Sequence, residues 1–114
     1  MIVVIFELEP RPGAGPAYFD LAAELRPLLD GIDGFLSIER YESLSRPGHY
    51  LSLSFWHDED AVRRWRCNER HRAAQQAGRS AVLADYRLRV ASVIRDYGLR
   101  DRAAVPSDSL SSLA

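Results

Sequence analysis

With 114 residues, 46% of them hydrophobic and 27% charged, the chain has enough apolar material for one domain, which would bury roughly two-thirds of the surface exposed when unfolded. A net charge of -1, from 15 basic against 16 acidic residues, provides no cationic field for nucleic acid or an anionic membrane, and every apolar run is shorter than the roughly 18 residues of a membrane span. All 15 basic residues are arginine, which excludes Schiff-base and phosphate-loop lysines, while the lone Cys67 excludes an intrachain disulfide and multi-cysteine metal ligation and fits a reducing, cytoplasmic setting.

The opening MIVVIFELEP lacks a basic region before its apolar stretch and reads as a strand rather than a signal peptide. Ile2, Val4, Phe6 and Leu8 share one face of it, and Val3, Ile5, Glu7 and Glu9 share the other. Pro10, Pro12, Gly13 and Gly15 break this strand. From Ala17 to Ile32, Phe19, Ala22, Leu25, Leu29 and Ile32 recur at helical spacing, with Pro27 expected to kink the helix or split off its last turn. Gly31 and Gly34 end that helix. A second strand, Phe35 to Ser43, alternates Phe35, Ser37, Glu39 and Tyr41 against Leu36, Ile38 and Arg40. The turn Ser45-Arg46-Pro47-Gly48 leads into a third, His49 to Trp56, which sets Tyr50, Ser52, Ser54 and Trp56 opposite Leu51, Leu53 and Phe55.

Asp58 is placed to cap a short helix whose acidic start and arginine-rich end suit the helix dipole, with Val62 and Trp65 as its buried stripe. Asn68 is placed to cap a second short helix through about Gln76, which Gly78 ends. The last strand, Asp85 to Arg95, sets Tyr86, Leu88, Val90, Ser92 and Ile94 against Arg87, Arg89 and Ala91. Residues 1–98 thus read as one domain, and 99–114, rich in Ser, Ala and charge, as a tail that is mobile or drapes over a neighbour.

The element order predicts an α+β fold: a ferredoxin-like split β-α-β with a four-stranded antiparallel sheet and helices on one face. The other face then carries apolar side chains that water would meet in a lone chain. A homodimer, sheet against sheet, is the simplest closed solution.

Aromatic and titratable groups concentrate where the third strand meets its helix: Trp56, Trp65, His57, His71 and Cys67. His57 beside Asp58 reads as a solvated helix-start residue, His49 as a turn residue and Cys67 as a buried or idle thiol.

The segments SFWHDEDAVRRW, HRAAQQAGR and DYRLRVASVIRDYG, within a likeness that covers Met1 to Gly98, resemble the antibiotic biosynthesis monooxygenase family. The resemblance implies a dimeric α/β barrel with a pocket between sheet and helices in each subunit. It also implies oxygenation of a small aromatic or quinol-type substrate by molecular oxygen with no flavin, haem or metal. In such chemistry the substrate reduces oxygen, and the protein binds, deprotonates and electrostatically stabilises it. Trp65, matching the family's helix tryptophan, His71 as general base and Arg89 are the implied catalytic residues; Tyr50, Trp56, Tyr86 and Arg87 are the implied substrate contacts. Ala61 stands where quinone-forming members carry asparagine one turn before the tryptophan, and Gln75 stands near the position of the haem ligand in haem-degrading relatives. A non-catalytic ligand-binding barrel is the alternative reading, with haem degradation a weaker third.

Overall fold

A computed structural model describes residues 1–70 and 81–109, with the side chains of residues 69 and 70 excepted. Four strands, β1 (Ile2–Pro10), β2 (Phe35–Glu42), β3 (Tyr50–Trp56) and β4 (Leu83–Ser92), form one sheet in the order β2-β3-β1-β4. All three pairings are antiparallel. With helices α1 (Gly15–Asp30) and α2 (Glu59–Arg70), this is the ferredoxin-like α+β arrangement expected from the element order.

The faces follow from strand alternation. Ile2, Val4, Phe6 and Leu8 of β1 turn toward the helices and enter two core clusters. One cluster joins Leu29, Trp56, Ala61 and Val62. The other joins Leu8, Tyr18 and Leu83.

Helix α1 buries Tyr18, Ala22, Leu25 and Leu29. Tyr18 takes the inward place expected of Phe19, which remains 42% exposed and stacks edge-on with Tyr50 at 5.0 Å. Nor does Pro27 end the helix, which runs on to Asp30. Both Pro27 and Ala23, whose carbonyl loses its donor, are exposed, so water can satisfy that oxygen. Ile32 lies beyond the helix but still packs on the first cluster.

Strand β2 departs from simple alternation because its register on β3 shifts between Phe35 and Ser37. Leu36 is the extra residue, 51% exposed, and the shift lets Phe35 join Ile38 against the same core cluster. The result is a β-bulge that exchanges the face of one residue.

At the start of α2, Asp58 accepts the Ala61 amide at 2.9 Å. That bond, and then the neighbouring His57 ring, hold the Asp58 carboxyl below the ordinary carboxylate range. Asn68 does not start a second helix, since it lies inside α2, which is continuous through Arg70, and the rest of the expected second helix lies outside the described residues. Of the two readings of Cys67, buried or idle, its exposure removes the first.

Beyond β4 the Val93 amide donates to the Met1 carbonyl at 3.0 Å. Residues 95–109 fold back on themselves, with the Arg102 guanidinium over the Tyr97 ring at 5.7 Å and Val105 buried. No helix among the described residues is long and apolar enough to cross a membrane.

Candidate functional site

Between the sheet and the helices lies a cavity of about 700 Å³, within the range typical of small-molecule sites. Its floor is Val4 and Phe6 of β1 with Ile38 of β2, and its roof includes Leu21, Leu25 and Val62 from the helices. Leu88 and Val90 of β4 close one side, although they remain 51% and 42% exposed. The chamber is therefore apolar in its body and open toward β4.

Three of the residues expected at a site border this chamber: Trp56, Trp65 and Tyr86. Trp56 serves as wall, since it is 2% exposed and its indole N–H donates to Ser54 Oγ at 2.9 Å. Trp65, by contrast, is half-buried on α2 and packs on the core beside Trp56. Its indole N–H makes no hydrogen bond among the described residues, leaving a donor for a bound molecule. Tyr86 stands at the open side, 62% exposed, with its ring edge-on to Phe6 at 5.6 Å.

The other expected residues lie elsewhere. Tyr50 packs against Phe19 and the second core cluster because it sits at the far end of β3 from Trp56. Arg87 and Arg89 alternate with Tyr86 and Leu88, so they point to the sheet's opposite face. There Arg89 Nη1 meets Glu7 Oε1 at 3.0 Å. Neither arginine borders the chamber. His71 lies outside the described residues.

Ala61 explains one departure from the family pattern. It is fully buried and packs against the turn at Gly34, where an added Cβ would come within 2.7 Å of the Ala61 Cβ. An asparagine there has no room in this arrangement.

Sequence reasoning missed the polar part of the chamber: Arg40, Ser52 and Ser54. Ser52 and Ser54 are buried at 7% and 5% exposure, and Arg40 lies directly opposite Ser52 across the β2-β3 pairing. Arg40 Nε is shielded from solvent with no hydrogen-bond partner. An unpaired buried donor of this kind costs about 1–3 kcal/mol. The visible signal was the shared face of Ser52, Ser54 and Trp56, where two small polar residues interrupt an otherwise buried surface. Arg66 and Asp85 also border the chamber, and Asp85 Oδ1 accepts the Tyr86 amide at 2.9 Å. Among the described residues no three His, Cys, Asp or Glu side chains gather as a metal-binding group.

The model of the family described as antibiotic biosynthesis monooxygenase matches residues 1–77. Over 93 residues the chain is 53% identical to a Pyricularia oryzae protein named jasmonate monooxygenase ABM, an alignment covering 82% of this chain and 43% of that protein. The chain thus spans less than half the length of that relative. Among solved structures, it resembles SnoaB, described as a cofactor-independent oxygenase from Streptomyces nogalater, with a TM-score of 0.67 and 16% identity over 83% of this chain and 94% of that one. It also resembles MhuD, solved with two manganese protoporphyrin IX molecules per active site, with a TM-score of 0.67 and 24% identity over 86% of this chain and 99% of that one. At such identities these two likenesses establish the shared fold alone.

Proposed function

The chain belongs to the antibiotic biosynthesis monooxygenase family, and on that premise we propose that it places one atom of molecular oxygen on a small, largely apolar molecule held between sheet and helices. The observation that carries this reading is the 700 Å³ apolar chamber bordered by Trp65, the tryptophan that matches the family's. Support for a small hydrophobic substrate also comes from the 53% identical relative named for jasmonate. That name extends the substrate class beyond the aromatic and quinol compounds that the sequence resemblance implies.

The proposed chemistry uses no resident metal, flavin or haem. In an activated CH₂ group, a base removes one proton and the carbanion's electrons pass to oxygen as a C–O bond forms. The same proton returns to the terminal oxygen to give a hydroperoxide. The base then takes the carbon's second proton, that C–H electron pair forms the C=O bond, and hydroxide leaves as the O–O bond breaks, collecting the second proton to become water. CH₂ becomes C=O, with one oxygen atom in the product and the other in water. His71 is the proposed base. The Trp65 N–H is the proposed donor to the substrate oxygen on which charge collects, and Tyr86 flanks the entrance.

An oxygen electrode tests this with anthrones and jasmonic acid in chelator-treated buffer. One mole of oxygen consumed per mole of substrate is expected, with His71→Ala lowering kcat by about 100-fold, the scale of general-base catalysis. Uptake only after adding a reductant or metal contradicts the cofactor-free part, and no uptake under either condition contradicts the whole reading.

We further infer that a second copy covers the sheet's outward face, where Val3, Ile5, Leu51, Leu53 and Phe55 are all only half-buried and form an apolar expanse of the kind that partners occupy. In sedimentation, the chain is expected to run at twice its 12.9 kDa. Phe55→Asp is expected to weaken dimerisation by about 30-fold or more, as loss of a central interface anchor does. A stable single chain of wild-type protein at micromolar concentration contradicts this.

A further inference from the structure

We propose that Arg40 and Ser52 form an anchoring subsite for a carboxylate carried by an otherwise apolar substrate. The proposal deepens the reading of the chamber as an oxygenase site and rests on it. Three observations converge.

First, Arg40 borders the chamber while its Nε–H is shielded from water and unpaired. None of the ion pairs among the described residues involves it. An arginine that only supported the fold would be expected to rest against a carboxylate or carbonyl. Here its side-on edge, Nε with one Nη, lacks the two-oxygen acceptor that its geometry matches.

Second, Ser52 is its direct partner in register, and such cross-strand side chains stand about 5 Å apart at Cβ. Ser54 already receives the Trp56 N–H. The Ser52 hydroxyl makes no hydrogen bond among the described residues, so it is available as a further donor at the same spot.

Third, the charge around the chamber selects the ligand. Among the described residues Arg40 and Arg66 face a single carboxylate, Asp85, so that part of the lining favours an anion. Arg66 is exposed, which leaves Arg40 as the one cation at depth among the described residues. That suits a monoanion rather than a phosphate dianion. A phenolate offers one oxygen and engages only one arm of the fork, whereas a carboxylate engages both.

The anchor also sets direction. Arg40 lies on β2, at one edge of the sheet, and Tyr86 lies on β4, at the other. Three strand spacings, roughly 14 Å, separate the two strands, and the row from Arg40 runs through Ser52 and Phe6 to Leu88, two residues along β4 from Tyr86. A molecule held by its carboxylate at β2 therefore extends its apolar body across β3 and β1 toward the open side at β4.

The test is calorimetric titration of the full chain at pH 7 with octanoate, phenylacetate and 1-naphthylacetate, each compared with its methyl ester. Wild-type protein is expected to bind the acids about 10- to 100-fold more tightly than the esters, the range for hydrogen bonds to a charged partner. Arg40→Gln is expected to bring acid and ester to equal affinity. Arg40→Lys, which keeps the charge and loses the fork, is expected to retain part of the preference. Thermal melts confirm that each variant is folded; if Arg40→Gln is not, the wild-type comparison and Ser52→Ala decide. Equal binding of acid and ester by wild-type protein, a preference that survives Arg40→Gln, or no binding of any compound at millimolar concentration overturns the proposal. Oxygen uptake separates the two readings. Acid preference in the titrations, with no uptake when anthrones or jasmonic acid are supplied, leaves the anchor standing and removes the oxygenase reading, whereas uptake with those substrates and no acid preference in the titrations does the reverse.

Discussion

Trp56→Ala is expected to lower the free energy of unfolding by about 3–5 kcal/mol, the usual cost of emptying a large buried aromatic site. The effect should be large because this one ring ties four elements together. Trp56 ends β3, packs with Leu29 of α1 and with Ala61 and Val62 of α2, and stands edge-on to Phe35 of β2 at 5.1 Å. Its N–H also satisfies Ser54, so alanine removes a donor as well as a wall. Domains of this size are typically stable by about 5–15 kcal/mol, so the loss would take a large share of the total. Urea denaturation of the two proteins measures it. A loss below about 1 kcal/mol would mean that the chamber's inner wall is not held as described.

The second large effect is expected at Gly34. Its φ of +89° already disfavours any side chain, and an added Cβ would lie 2.7 Å from the Cβ of Ala61. The turn has little freedom to retreat. The Gly34 carbonyl accepts the His57 amide at 2.7 Å, and the Asp33 carbonyl accepts Arg64 Nη1 at 2.9 Å. Gly34→Ala is therefore expected to cost about 2–5 kcal/mol, combining left-handed backbone strain with overpacking. Adding Ala61→Gly should relieve the collision but not the strain, so a double-mutant cycle should show favourable coupling between the two sites. Denaturant midpoints measure both. Purely additive effects, or a Gly34→Ala protein within about 0.5 kcal/mol of wild type, would contradict this packing of α2 on the turn.

How much of the architecture was legible depended on whether a residue's surroundings were local. The alternation of Tyr50, Ser52, Ser54 and Trp56 against Leu51, Leu53 and Phe55 marks β3 without any other part of the chain, and Asp58 marks the helix start in the same way. The bulge at Leu36 is set by pairing between β2 and β3, so alternation alone assigned Phe35 to the wrong face. Tyr18 and Phe19 are adjacent large aromatics, and the helix's rotation against the sheet decides which one goes inside.

The site shows the same division. Alternation does place Arg87 and Arg89 opposite Tyr86, but it does not say which of those faces meets the helices. The family likeness drew both arginines toward the substrate, and the sheet places them on the other side. Arg40 escaped notice because a single arginine on an alternating strand ordinarily points to water. Only the pairing with Ser52 brings it to the chamber. Ala61 was visible as a departure from the family's asparagine, yet its cause, the close approach of Gly34, lies 27 residues earlier in the numbering.

The proposed transfer of one atom of molecular oxygen to a small molecule held between sheet and helices is read by mass spectrometry of product formed under ¹⁸O₂, with wild-type protein run beside a folded Trp65→Ala variant. One heavy oxygen atom per product molecule is expected, with a rate in the variant lower by about 10-fold or more, from loss of a charge-stabilising donor and its wall. Unlabelled product, or labelled product formed at an unchanged rate in the variant, would contradict it.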